Sequence, residues 1–129
     1  MELEKQVCSI KLAKKLRELD VPQTGYYVWL NSRTPRLIKA AGEKMNYRDV
    51  GLQRFCAFTV AELGEMLPGQ ITVNEEPKCF EVRKRPDIYF VRYSEWENDN
   101  AYIYKTAETE ADARAKMLVY LLENKLITF

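Results

Sequence analysis

Three strand-like segments follow one another with short links: Cys79 to Lys84, Asp87 to Ser94, and Ala101 to Thr106. They are rich in β-branched and aromatic residues, the types that suit a pleated, half-buried surface. Pro86 separates the first two, and the polar turn Glu97-Asn98-Asp99-Asn100 separates the second from the third. Links this short cannot house a parallel crossover, so the strands are expected to be antiparallel neighbours. Gln70 to Asn74 adds a further short strand. A sheet of this kind must bury at least one face, and the flanking segments supply the cover.

Those flanking segments read as helices. Cys8, Leu12, Leu16 and Leu19 fall on one stripe of a 3.6-residue period, with Lys11, Lys14, Arg17 and Glu18 off it. This predicts a helix from about Val7 to Leu19, closed before Pro22 because the residue preceding proline avoids the helical region. Thr59-Val60-Ala61-Glu62 has the form of a capping box, and a short helix follows with Val60, Leu63 and Leu67 inward until Pro68-Gly69 stops it. The last helix starts at a Thr109 cap, with a stripe of Ala111, Ala115, Leu118 and Leu122 widened by Met117 and Leu121. Asp112, Lys116 and Glu123 are expected to face away. Arg114 falls inside the apolar arc, where its stem can pair with Glu110 at i−4 or its head can reach an anionic partner.

Between the first two helices, Tyr26-Tyr27-Val28-Trp29-Leu30 reads as a strand, Asn31 to Pro35 as a turn, and Arg36 to Ala40 as the returning strand of a hairpin. Residues 41–56 show neither period and are expected to form a long loop. The fold expected is therefore α+β. It has an antiparallel sheet of about four to six strands packed in two layers against two longer terminal helices and one short middle helix. A single domain would span residues 1–129.

Composition narrows the chemistry. Apolar residues are 47% and charged residues 30%, with five glycines and five prolines, a globular mix that excludes disorder and collagen-like repeats. No histidine is present, so neither a Ser-His-Asp nor a Cys-His nucleophile can be built. Cys8, Cys56 and Cys79 are odd in number and form no CxxC pair, so neither a metal nor a disulfide framework is expected, and the thiols read as buried and reduced. Phosphate loops of the GxxxxGK[ST] or GxGxxG type are absent, and no cofactor is expected. The longest apolar run, Met117 to Leu122, is far too short to span a membrane. A soluble, cytoplasmic protein is the expectation.

Residues 1–54 carry a balance of +5 and residues 55–129 a balance of −4. The halves can attract one another, or the basic half can meet an acidic partner. Arg33, Arg36 and Lys39 lie near Tyr26, Tyr27 and Trp29, a mixture able to track phosphates and stack bases. Leu12 to Leu16 with Val21-Pro22-Gln23 resembles the start of a helix-turn-helix, but a strand-like segment stands where a recognition helix should follow. Within the Asp87 to Tyr93 strand, Tyr89, Val91 and Tyr93 share one face while Ile88 and Phe90 share the other. If helices cover one face, an aromatic face is left for a partner. The carboxylate pairs Glu62/Glu65 and Glu75/Glu76 are material for acid–base work, which needs them buried in a cleft, whereas carboxylates in turns and on short helices are ordinarily solvated.

Three blocks carry a resemblance. They are Val7 to Leu16 with Val21-Pro22-Gln23 and Tyr27-Val28-Trp29; Thr59 to Pro68; and Glu110 to Leu118 with Leu121 to Asn124. In this order they resemble a group of small uncharacterised proteins of phages, prophages and bacterial mobile elements. The resemblance implies a genomic setting and no mechanism, and it carries over no site residues.

The expectation is a small accessory protein of phage or mobile-element type that works as a non-catalytic interaction module, as a homodimer or with another protein. Its candidate surface comprises Tyr26, Tyr27, Trp29, Arg33, Arg36, Lys39, Tyr89, Tyr93 and Arg114. The alternatives are a nucleic-acid binder using the basic hairpin and, more weakly, a carboxylate-dependent hydrolase.

Overall fold

The computed structural model describes residues 2–40, 52–95 and 101–129. Their order is α1 (Leu3–Gln6), α2 (Ile10–Glu18), β1 (Tyr27–Leu30), β2 (Arg36–Lys39), β3 (Arg54–Cys56), α3 (Val60–Met66), β4 (Gln70–Val73), β5 (Glu76–Arg85), β6 (Ile88–Ser94), β7 (Ala101–Ala107) and α4 (Glu110–Glu123). The class is α+β, with every strand pairing antiparallel. The strands divide into two sheets, one in the order β2-β1-β3 and one in the order β4-β5-β6-β7.

The first helix begins later than the apolar stripe suggests. Cys8 lies in extended chain ahead of Ser9, whose side chain caps α2 by accepting from Leu12 N. Val7 bridges Thr59, and Cys8 N donates to Phe58 O, so this segment runs strand-like beside the end of β3. Cys8 is buried by that pairing and not by a helical face. At the other end, Asp20 takes a positive φ of 64°, Asp20 N donates to Arg17 O, and Val21 N donates to Leu16 O. This Schellman closure, with buried Val21 against buried Leu16, ends the helix ahead of Pro22.

The hairpin forms as the sequence suggests, with Leu30 opposite Arg36 across the five-residue connection. The expected loop over 41–56 needs correction at its end: Arg54–Cys56 pairs with β1 as β3, bringing Phe55 opposite Trp29. The rest of that loop, residues 41–51, and the expected turn Glu97 to Asn100 lie outside the described residues.

Helix α3 carries the full capping box. Thr59 Oγ1 accepts from Glu62 N at 3.1 Å, and Glu62 Oε1 accepts from Thr59 N at 3.0 Å. Helix α4 starts at Thr109, whose Oγ1 accepts from Asp112 N. It lies between the four-stranded sheet, which it meets at β6 and β7, and the helices α1, α2 and α3. Being covered on two sides, it buries Ala113 and Val119 beyond the expected stripe, while Leu122 is only half-buried. Its alanines keep the helix thin enough for close approach. Lys116 and Glu123 do face away, but Asp112 does not. Its Oδ1 accepts from Ser9 N at 2.7 Å and ties the start of α2 to the start of α4. Lys15 and Glu123, 3.6 Å apart, add one ion pair between the basic and acidic halves.

One hydrophobic cluster joins these parts, including Leu16, Trp29, Phe55, Leu63, Val91, Tyr93, Met117 and Leu118. Each leucine buried in it stabilises the fold by about 2 kcal/mol relative to exposure.

Candidate interaction face

The register of the four-stranded sheet sorts its side chains onto two faces. Phe80, Tyr93 and Ile103 lie side by side across β5, β6 and β7, as do Val82, Val91 and Lys105. This is the face on α4; Val91 and Tyr93 are fully buried there. The Tyr93 hydroxyl donates to Pro68 O at 2.6 Å, and burial raises its pKa above the ordinary tyrosine value.

The opposite face carries Glu81, Arg92 and Tyr104 in one cross-strand row and Arg83, Phe90 and Thr106 in the next, with Arg85 opposite Ile88 beyond them. Arg83, Arg85, Phe90, Arg92, Ala101 and Tyr104 line a shallow hollow of about 150 Å³. The rings of Phe90 and Tyr104 sit 6.2 Å apart at 35°, and the Arg85 guanidinium lies 5.1 Å from the Phe90 ring centre. Tyr104 is 58% exposed, and the Arg83 and Arg85 side chains reach solvent.

Glu81 organises the row. Its Oε2 accepts from Arg92 Nε at 2.9 Å and from Arg83 Nε at 3.1 Å, with Arg92 Nη2 at 2.8 Å from the same oxygen. The Arg92 guanidinium, and after it that of Arg83, holds the Glu81 carboxyl below the usual glutamate value. Arg92 is buried and fixed by this pair, while Arg83 and Arg85 stay at the surface.

The residues singled out from sequence are dispersed. Tyr26 is exposed just before β1 and Tyr27 is half-buried against the core. Trp29 is buried, its Nε1–H donating to Cys8 O, so its ring is not a surface group. Arg33 is exposed in the hairpin turn. Arg36 and Lys39, three apart on one strand, point to opposite faces. Tyr93 is buried on the helix side. Tyr89, also on that side, is half-buried and lines a hollow of about 520 Å³ near the starts of α3 and α4.

Arg114 packs inward. Its Nε stands 3.3 Å from Glu110 Oε2 in an ion pair without hydrogen-bond alignment, and its guanidinium lies 5.5 Å from the Phe80 ring centre. It crosses α3 at Gly64, where a Cβ would come within 2.5 Å of Nη1.

The arginines of the sheet face were missed in the sequence. The pattern Glu81-x-Arg83-x-Arg85 does alternate, which signals one polar face of a strand. Placing Arg92 and Tyr104 beside it requires the strand register, which the sequence leaves open.

The two carboxylate pairs singled out from sequence lie apart, one on α3 and one at the turn between β4 and β5. Glu62 and Glu65 line a hollow of about 540 Å³ with Pro22, Tyr26, Phe58 and Phe129, but both oxygens of Glu62 hold backbone amides, those of Thr59 and Tyr26. Glu75 sits in the turn before β5, and Glu76 pairs with Lys78 at 3.2 Å. Among the described residues no group of three or more His, Cys, Asp or Glu is placed to hold a metal ion, and no helix is long and apolar enough to cross a membrane. No protein-family model, curated protein or solved structure matches the chain.

Proposed function

We propose that this protein is a non-catalytic binding module whose working surface is the outer face of the four-stranded sheet. One observation carries the reading: three arginines and two aromatic rings gather around one hollow on a face that α4 does not cover. Surface arginines and tyrosines are the residues that most often anchor interfaces. The hairpin is a weaker choice, because Trp29 is spent on the core and the basic residues are divided between the turn and two strand faces. We further propose a phage or mobile-element setting, on the strength of the three sequence blocks alone.

Photo-crosslinking in cells tests the surface. Benzoylphenylalanine replaces Tyr104 on the sheet face or, as a control of equal chemistry, Tyr26 beside the hairpin, both exposed. A discrete adduct from position 104 that is absent from position 26 is the expected result. Adducts from position 26 alone, or none from position 104, would overturn the assignment of the surface.

A further inference from the structure

We infer that the hollow beside Tyr89 binds a free α-amino acid with an apolar side chain, at a site separate from the sheet face proposed above. The hollow, of about 520 Å³, lies where β7 gives way to α4 and where α3 begins. It is more apolar and more enclosed than the hollow at Glu62 and Glu65. Its volume suits a small molecule.

The floor gives the first argument. Tyr89 stands near the start of β6 on the helix side of the sheet, opposite Ala107 at the end of β7. Its ring is half-buried, with Lys84 Nζ 5.7 Å from the ring centre. Val60 and Ala61, in the first turn of α3, form an apolar wall beside it. An aliphatic or aromatic side chain laid on this ring removes apolar surface from water on both partners.

The polar groups give the second argument. Lys5 and Glu108 stand exposed at the rim, and neither side chain is engaged in an ion pair or hydrogen bond among the described residues. Thr59 and Thr109 also line the hollow. Each hydroxyl oxygen already accepts a backbone amide, that of Glu62 or Asp112, so each hydroxyl proton remains to be donated. Lys5 and the two hydroxyls thus offer donors to a carboxylate, and Glu108 offers an acceptor to an ammonium. An acid alone would meet Glu108 unanswered, and an amine alone would meet Lys5 unanswered. A zwitterion answers both. A peptide end carries only one of the two charges, so the ligand is the free amino acid.

The measurement is isothermal titration calorimetry with phenylalanine and leucine, paired with thermal melts. Three comparators each lack one part: phenylpropionate the ammonium, phenethylamine the carboxylate, and glycine the side chain. Four variants accompany the wild type, each checked for folding by circular dichroism. They are Lys5→Gln, Glu108→Gln, Ala61→Phe, which fills the hollow from an exposed position on α3, and the control Glu65→Gln in the neighbouring hollow. Both amino acids are expected to bind, and each comparator should bind about tenfold more weakly or worse. Lys5→Gln and Glu108→Gln should each weaken phenylalanine about tenfold. Ala61→Phe should abolish binding, and Glu65→Gln should leave it unchanged.

Absence of both heat and a raised melting midpoint at about 10 mM amino acid overturns the inference. Phenylpropionate or phenethylamine binding as tightly as phenylalanine overturns the ligand class, as does binding that neither Lys5→Gln nor Glu108→Gln alters. Binding that survives in folded Ala61→Phe, or that Glu65→Gln abolishes, overturns the place.

Discussion

The indole Nε1–H of Trp29 donates to the backbone carbonyl of Cys8 at 2.8 Å inside the core. The bond joins β1 to the extended segment ahead of α2 and satisfies two polar groups that water does not reach. Trp29→Phe keeps an aromatic ring but orphans the carbonyl. It should lower unfolding free energy by about 1–3 kcal/mol in urea titration. A cost below about 0.5 kcal/mol would mean that the carbonyl finds water on its own.

Gly25 occupies a position that admits no side chain. A Cβ there would collide with Cys56 Sγ and come within 2.9 Å of Glu62 Oε2, while Gly25 N already donates to Cys56 Sγ. The sulfur is anchored on β3, so little yields. Gly25→Ala should destabilise by about 2 kcal/mol or more through overpacking. Cys56→Ala opens the space, so the double variant should cost clearly less than the sum of the two single variants. Strict additivity would contradict this geometry.

Among the described residues four non-glycine positions adopt left-handed backbone, and three sit where glycine is preferred. Asn74 and Glu75, at φ 51° and 67°, form the two-residue turn between β4 and β5. Such hairpin turns favour Asn-Gly because both positions need positive φ. Asp20 and Lys125 follow α2 and α4 in the Schellman position; Lys125 N donates to Leu122 O and Leu126 N to Leu121 O. Glu75→Gly, Asp20→Gly and Lys125→Gly should each stabilise by about 0.5–1 kcal/mol, the relief of strain exceeding the added chain entropy. Thermal melts of the three variants and their combination check this; a lowered midpoint would show the side chains contribute more than their backbone costs.

Burial pushes the Cys8 thiol up to about 12 and the Cys56 thiol up to about 11, whereas Cys79 is half-buried on the sheet. Only thiolate attacks a disulfide reagent, so near pH 8 Cys8 and Cys56 stay protonated as well as shielded. The native protein should show one fast thiol with Ellman's reagent, removed by Cys79→Ser, and all three after denaturation. Fast reaction of two or more native thiols would mean that the Cys8–Cys56 region opens readily.

Local signals were strong enough to locate most elements. The Thr59–Glu62 box, the Pro68-Gly69 stop, the hairpin around Ser32 and the Thr109 cap each act within a few residues, so sequence spacing suffices for them. What sequence missed depends on distant partners. Cys8 fell on a helical stripe, yet it is held by Phe58, fifty residues away. Phe55 shows no periodicity of its own and is strand only because β1 offers an edge. The candidate face was half visible: Phe90 could be separated from Tyr93 by alternation, but which charges stand beside Phe90 is a matter of register. Closeness in sequence does not make the hairpin residues one face: Trp29 turns inward, and Arg36 and Lys39 diverge.

Glu81 makes the sheet face sensitive to pH with a definite sign. The Arg92 guanidinium, then Arg83, holds its carboxyl below the ordinary value of 4.5. A carboxyl depressed in the folded chain contributes stability that is fully present above its unfolded value. That contribution is lost as pH falls through the lower folded one. With Glu81 44% exposed, solvent screens the pair and the stability effect is modest. Glu81→Gln should therefore lower the urea midpoint at neutral pH, and its difference from wild type should shrink as the pH falls below the ordinary glutamate value. A stability difference that persists undiminished at low pH would assign the effect to packing rather than charge.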